Sequence, residues 1–487
     1  MPPSSAMPTQ PIPHELPDAS RPTHFLGAGG IGMSGLAELL HHLGYRVSGS
    51  DQAPGGQLDR LAELNIPVWV GHGSAPLEQA GAVVYSSAVR PDNPVWAQVQ
   101  RLGLPRYHRS QVLGALTRRW ATLAVAGTHG KTTSSAWLAG VLRRGGINPN
   151  ALVGGVVRQF QGRNLLVGDT SAQGVLVAEA DESDGSFVNM SPQGVLLTNL
   201  EEDHLDHHGT LAELKAAFRA FLERIPPGGL LVYGWDDPGA REAAAGCKAG
   251  KLSYGLGPKA DVRAQVLSMA PGRMEVRLDT PWGPLTVVSP LGGEQNAQNM
   301  AGVAATALGW TRRAPTLTWG SGGENLGGLA QALGEFSGVD RRQQFLGTWR
   351  GLHLFDDYAH HPTEVRVTLE GFLRMYGSPL TVVFQPHLYS RTQHFAQEFA
   401  QALAPAQHVF VTDVYGAREA PVPGIDARTI LDHLPHHPSA HRLAHWRDLL
   451  TLAQNGSLPT AHATGLLVTM GAGDIWKLGP ELMGTAP

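Results

Sequence analysis

The run Thr122-Leu123-Ala124-Val125-Ala126-Gly127-Thr128-His129-Gly130-Lys131-Thr132-Thr133 decides how the rest of the chain is read. An apolar strand gives way to a glycine turn closing on Lys-Thr, and Trp137, Leu138, Val141 and Leu142 follow in a helical pattern. Strand, glycine turn and helix together present backbone N–H groups and the positive end of a helix to a phosphate. The tail Gly130-Lys131-Thr132 is that of a phosphate-binding loop, which places Lys131 on the terminal phosphates of ATP and the Thr132 hydroxyl on Mg²⁺. The loop lacks the first glycine of the usual pattern, because Val125 holds that place. Arg143-Arg144-Gly145-Gly146 should end the helix, with basic residues at its carbonyl end and glycine for the cap.

A second glycine turn stands upstream. His24-Phe25-Leu26 runs into Gly27-Ala28-Gly29-Gly30-Ile31-Gly32, followed by a helix through Leu36, Leu39 and Leu40. Gly27, Gly29 and Gly32 have the spacing of a dinucleotide-binding turn, and Asp51 ends the next strand at about the expected distance. By spacing alone this is a nicotinamide enzyme. The physics is less particular: glycines and a helix N-terminus receive any diphosphate, so NAD and a nucleotide sugar both stay open.

Downstream, Val175-Leu176-Val177-Ala178 ends at Glu179, and Val195-Leu196-Leu197 leads to Thr198-Asn199-Leu200-Glu201-Glu202-Asp203-His204. Strand ends in one parallel sheet share an edge, so Glu179 and His204 are candidate metal ligands beside the Lys131 loop. The carboxylate suits Mg²⁺, and the imidazole suits a second, more Mn²⁺-like ion or a phosphate contact. A third block begins near Phe336, with strands at Leu380–Phe384, Val409–Val411 and Leu466–Val468, and Asp356-Asp357-Tyr358-Ala359-His360-His361-Pro362 ends another apolar stretch. The repeat His436-His437-Pro438 lies in a Pro/His-rich stretch that no strand aims at a site, so it reads as surface.

Short strands alternating with helical patterns from Thr23 onward predict an α/β chain of parallel sheets covered on both faces. Its 487 residues, at roughly 150 per domain, predict three domains: 21–118, Rossmann-like; 119–334, P-loop ATPase-like; and 335–487, Rossmann-like again. A Pro-rich tail over 1–20 is expected to be disordered, and Asp261–Pro290 reads as a small antiparallel insertion. Thirty-seven Lys and Arg against 41 Asp and Glu argue against nucleic acid as a partner, and no apolar run suits a stable membrane contact. The single cysteine, Cys247, excludes a disulfide framework and favours a reducing cytoplasm.

With these motifs in order, the chain resembles the Mur ligases over nearly everything after the first twenty residues. Carrying the resemblance are Gly27 to Gly35, Val84-Tyr85-Ser86-Ser87-Ala88-Val89, Gly127 to Thr133, Thr198 to Asp206, Asp356 to Pro362, Phe384 to Thr392 and Tyr415 to Glu419. Glu179-Ala180-Asp181-Glu182-Ser183-Asp184-Gly185-Ser186-Phe187 favours the alanine-adding branch over the one that recycles a tripeptide. The resemblance reassigns the first turn from NAD to the UDP of a nucleotide sugar, with Gly27, Gly29, Gly30, Gly32, Ser34, Asp51, Ser86 and Ser87 as its contacts.

The resemblance further implies that Gly127 to Thr133, Asn296 and Asn299 hold ATP, and that Arg342 lies near its phosphates. Thr132, Glu179 and His204 would hold Mg²⁺, with Mn²⁺ as the alternative, and His360, His387 and Arg391 would serve the amino acid and the acyl group. Gln295 stands where the family has a histidine, and Gln343 where it has an aromatic residue. The implied reaction couples L-alanine to the lactyl carboxylate of UDP-N-acetylmuramate through an acyl phosphate, carried out by a cytoplasmic monomer or homodimer. Lys131, Glu179, His204, Arg342, His360 and His387 are the expected catalytic group. A nucleotide-sugar oxidoreductase and a non-catalytic ATP-binding scaffold are the rival readings from other classes.

Overall fold

The computed structural model describes residues 15–203, 208–310, 325–377, 379–417, 419–458 and 465–484. His204 therefore lies outside the described residues. Leu16 packs against the core and Pro17 is buried, so part of the segment whose proline content predicts a disordered tail is packed.

Three sheets form. The first joins β1 (Thr23–Leu26), β2 (Val47–Asp51), β3 (Val68–Val70), β4 (Ala82–Tyr85) and β5 (Arg106–His108) in the order β3-β2-β1-β4-β5, all parallel. Its helices include α1 (Ile31–His42), α2 (Gly56–Glu63), α3 (Val95–Arg101) and α4 (Arg109–Arg119). The strand order reverses between β1 and β4, which opens a crevice beyond their carboxyl ends. Gly27 follows β1 and Ser86 follows β4, so both line that crevice.

The second sheet has ten strands: β6 (Ala121–Ala126), β7 (Asn150–Val157), β8 (Arg163–Leu166), β9 (Val175–Glu179), β10 (Gly194–Leu197), β11 (Leu230–Gly234), β12 (Gly250–Gly255), β13 (Val262–Ala270), β14 (Arg273–Thr280) and β15 (Gly283–Ser289). They lie in the order β15-β14-β13-β12-β11-β10-β6-β9-β7-β8. Two-residue turns at Pro271-Gly272 and Pro281-Trp282 allow only antiparallel neighbours among β13, β14 and β15. These strands form the small antiparallel piece their alternation suggests, and the parallel pairing of β12 with β13 joins it to the central sheet. Between β10 and β9, β6 leads into α5 (Lys131–Arg144), which puts the Gly127–Gly130 turn at the end of an interior strand.

The third sheet joins β16 (Gln344–Trp349), β17 (Leu352–Asp357), β18 (Leu380–Phe384), β19 (His408–Thr412), β20 (Ala440–Leu443) and β21 (Gly465–Met470) in the order β16-β17-β21-β18-β19-β20. It is parallel apart from its antiparallel edge strand β16.

These sheets fall into two compact units. One runs to Ala264 and takes in Leu278–Leu285 and Gln298–Leu333; the other takes Gln265–Arg277, Thr286–Ala297 and the chain from Gly334. Within the first unit a continuous apolar core reaches from Phe25 and Leu36 to Leu176 and Phe218. No gap marks residue 118, because α4 runs through it into buried Trp120, whose Nε1 donates to Ser171 O at 2.7 Å. Truncating so deeply packed a tryptophan typically costs about 3–5 kcal/mol. Buried Glu38 on α1 accepts from Arg60 on α2 and from Arg163 on β8, which ties the first sheet's helices to the central sheet.

Candidate functional site

Around the first glycine turn, Gly27 adopts φ +83°, a conformation natural to glycine, and the Gly27 and Ala28 N–H groups both donate to Ser50 O. The next N–H, of Gly29, donates to Asp51 Oδ2 at 2.9 Å. A side chain on Gly29 would meet that oxygen at 2.8 Å, so glycine is what lets Asp51 brace the turn. Ser86 is buried against Gly27 and Ser87 is exposed, with its hydroxyl 3.5 Å from Asp184 Oδ2. The Ser34 hydroxyl lies 3.0 Å from Ile31 O and 2.9 Å from Gln57 Oε1, two acceptors for its single proton, which engages it between α1 and α2. Gly30 is the N-cap residue of α1, and Gly32 is the helix's second residue.

Beneath the turn, His24 is buried with its two ring nitrogens 2.9 Å from the Ser48 and Ser50 hydroxyls, and Ser50 Oγ reaches His72 Nδ1 at 3.0 Å. Burial, with His72 nearby, depresses the His24 pKa to about 4.

The second turn is held more tightly. Thr128 N–H donates to Asn199 O, His129 N–H to Asn199 Oδ1 and the Thr198 hydroxyl to His129 O, so the end of β10 grips the loop. Gly127 and Gly130 have φ of +126° and +80°. A side chain on Gly130 would meet Asn299 Oδ1 at 2.7 Å, which places Asn299 beside the loop. Asn296 is buried within the other unit, where its amide donates to Gly292 O and Gln343 Oε1.

Lys131 has three acceptors for its three ammonium protons, Gly127 O at 2.7 Å, Thr128 O at 3.0 Å and Glu182 Oε1 at 2.9 Å. Glu179 accepts from the Thr132 hydroxyl at 2.9 Å and from Gly154 N–H at 2.6 Å. Burial raises the Glu179 pKa against the pull of Lys131, and pushes Glu182 up as well. Burial disfavours the Lys131 ammonium, but Glu182, Asp181 and Glu179 outweigh it and raise its pKa. Burial also opposes ionisation of Asp181, yet Lys131 and Arg109 bring its pKa down to about 2. The Thr132 hydroxyl and Glu179 carboxylate form an oxygen-only pair beside surplus negative charge, a donor set that fits Mg²⁺.

Glu182, Asp181, Asp184 and Arg109 carry no assigned role in the sequence reading, although three of them lie in the quoted Glu179–Phe187 motif. The missed signal was a second glutamate three residues after Glu179. Nothing in Tyr107-His108-Arg109 marks Arg109, which gains its place only through the packing of α4.

In the other unit, Arg341 and Gln343 both hold left-handed backbone, at φ +61° and +46°, on either side of Arg342. Such conformations cost on the order of 1–3 kcal/mol each and persist where the surroundings over-determine them. Here Arg341 donates to Asp356 and to Gly471 O, and Gln343 N–H donates to Asp357 Oδ2. Arg342 pairs with Glu364 and lies over the Tyr358 ring. Burial raises the Asp357 pKa to about 6 in spite of Arg342. His360 lies edge-on to His387, ring centroids 5.9 Å apart, and His387 stacks on Tyr415. Arg391 is buried in the short helix Tyr389–His394. His360, His387 and Arg342 are thus collected beyond the carboxyl ends of β17 and β18. His437, by contrast, lies within 2.8 Å of Ala406 O and accepts from Ser439 N–H, so that histidine serves the local fold.

Residues 22–121 match the Mur ligase family, catalytic domain; residues 125–307 the Mur ligase middle domain; and residues 341–473 the Mur ligase, glutamate ligase domain. The UDP-N-acetylmuramate--L-alanine ligase of Kineococcus radiotolerans is 42% identical, over 94% of this chain and 95% of its own. That of Desulforamulus reducens is 37% identical, over 96% and 98%. Among solved structures, the UDP-N-acetylmuramate-alanine ligase of Thermotoga maritima superposes with a TM-score of 0.78 at 26% identity, covering 95% of this chain and 98% of that one. The murein peptide ligase of Psychrobacter arcticus shares the fold, with a TM-score of 0.68 at 24% identity over 95% and 98%. Together with the two glycine turns and the lysine between its carboxylates, these matches show that the chain belongs to the Mur ligase family.

Proposed function

We propose that the chain couples L-alanine to the lactyl carboxylate of UDP-N-acetylmuramate with cleavage of ATP, a step of peptidoglycan precursor synthesis in the cytoplasm. The relatives named for that reaction span nearly the whole chain and support this assignment. The observation that carries it is the pairing, within one compact unit, of a braced diphosphate turn after β1 with a lysine-bearing phosphate turn after β6. A nicotinamide oxidoreductase would have no use for the second turn.

A carboxylate has no adequate leaving group, so amide formation in water requires its activation. In the proposed mechanism the lactyl carboxylate attacks the γ-phosphorus of ATP, the bond to the β-phosphate breaks and ADP leaves, and an acyl phosphate forms. Lys131 exchanges a protein acceptor for the triphosphate, and Arg342 offsets charge that spreads over the transferring phosphoryl. Thr132 and Glu179, with His204, would hold Mg²⁺, which supplies further charge neutralisation when bound. The neutral amine of alanine then attacks the acyl carbon, and phosphate leaves. His360 or His387 takes the amine proton as general base, and Arg391 offers its planar fork to the alanine carboxylate. Asn299 and the Gly127–Thr133 backbone hold the nucleotide.

Phosphate release with UDP-N-acetylmuramate, ATP and Mg²⁺ tests the proposal. Release that depends on L-alanine supports it. A requirement for tripeptide in place of alanine, or release indifferent to any amine, refutes it.

A further inference from the structure

We infer that Arg109 is a binding residue for the diphosphate of the nucleotide sugar, an inference that rests on the assignment of the first turn to that ligand. Arg109 opens α4, directly after the His108 N-cap. Its Nη2 donates to Asp181 Oδ2 and to Asp184 Oδ2, each at 3.1 Å. Among the described residues no protein acceptor takes Nε or Nη1, so most of a five-proton fork is unspent. That unspent side faces the first turn: Nη1 lies 3.8 Å from where a Cβ on Gly32 would stand.

The charge pattern calls for such a group. Residues 27–35 contain no basic side chain, and the turn is braced by the carboxylate of Asp51, so a diphosphate there meets backbone dipoles and a nearby anion. The helix N-terminus alone contributes modestly to anion binding, roughly 0.3–1 kcal/mol where exposed. Arg109 supplies the missing cation at the opening turn of α1. Its two carboxylates do not cancel it, because each is shared. Asp181 is also drawn on by Lys131, while Asp184 has His108 Nε2 at 3.9 Å and the Ser87 hydroxyl at 3.5 Å. The acids fix the guanidinium by one nitrogen and leave its other edge for phosphate oxygens, which suits arginine better than lysine.

Arg109→Lys is the discriminating variant, because an ammonium keeps a charge for Asp181 and Asp184 while losing the second edge. Titration calorimetry of the full chain with UDP, with UDP-N-acetylmuramate and with ATP reads the effect. The variant should lose roughly 10- to 100-fold in affinity for both uridine ligands, the worth of one charge-assisted contact, and keep its ATP affinity and thermal midpoint. UDP bound equally well by variant and wild type overturns the inference. A loss confined to UDP-N-acetylmuramate also overturns it, since the contact would then be to the sugar acid. A wild-type chain that binds no UDP overturns the nucleotide-sugar assignment along with it.

Discussion

Lys131 Nζ lies 2.9 Å from Glu182 Oε1, and the other oxygen of that buried carboxylate has no hydrogen-bond partner among the described residues. The loop lysine is thus held by protein acceptors, one of which phosphate must displace in the proposed mechanism. Breaking a buried pair by removing one partner strands the other charge, whereas removing both leaves nothing to strand.

Lys131→Ala should therefore destabilise the chain by about 3 kcal/mol and abolish ligation. Adding Glu182→Ala should restore much of the stability and none of the activity. Urea unfolding of both single variants and the double variant measures the coupling, and strict additivity would contradict the pairing.

The two glycine turns are separable. Gly29→Ala drives a methyl against Asp51 and should weaken UDP binding while sparing ATP. Gly130→Ala combines a left-handed φ of +80° with a clash at Asn299 and should do the reverse. Calorimetric titration of each variant with each nucleotide shows whether the losses segregate.

Burial of neutral His24 makes stability fall with acid. Its folded pKa is about 4 against an ordinary 6.5, so between these values the unfolded chain binds the extra proton. Stability from this group is complete above pH 6.5 and is lost as pH falls toward 4, by an amount on the order of 3 kcal/mol. Glu182 and Asp357, whose pKa values burial raises, oppose that slope, so the readout is the difference between wild type and His24→Asn. Parallel pH profiles for the two would rule the origin out.

Glu179→Gln keeps the acceptor for Thr132 and removes the charge. The Mg²⁺ concentration giving half-maximal phosphate release should rise at least about tenfold, the equivalent of 1.4 kcal/mol. An unchanged requirement would remove Glu179 from the metal's ligands.

Much of this was legible in the chain before its structure. Strand-turn-helix order announced both glycine turns, because glycine takes the positive φ at Gly27, Gly127 and Gly130 without steric cost. The central sheet's ends fixed Glu179 by register, opposite Val125. What stayed hidden depends on packing between distant segments. Arg109 meets Asp181 across seventy-two positions, and Lys131 meets Glu182 across fifty-one, separations that leave no periodic trace. Asn296 and Asn299, paired by the resemblance, stand in different surroundings that no spacing announces: the Asn296 amide donates to Gly292 and Gln343, whereas Asn299 lies beside Gly130. Composition likewise hid the packing of Leu16 and Pro17, since proline content records flexibility of the isolated chain and not contacts made after folding.

The central claim is that the triphosphate in one turn activates the carboxylate of the ligand in the other. UDP-N-acetylmuramate labelled with ¹⁸O in its lactyl carboxylate, turned over with ATP and L-alanine, tests this directly by mass analysis of the released phosphate. One ¹⁸O atom per phosphate is the predicted result, because the acyl phosphate's bridging oxygen leaves with phosphorus. Phosphate free of ¹⁸O, alongside amide product, would contradict the account.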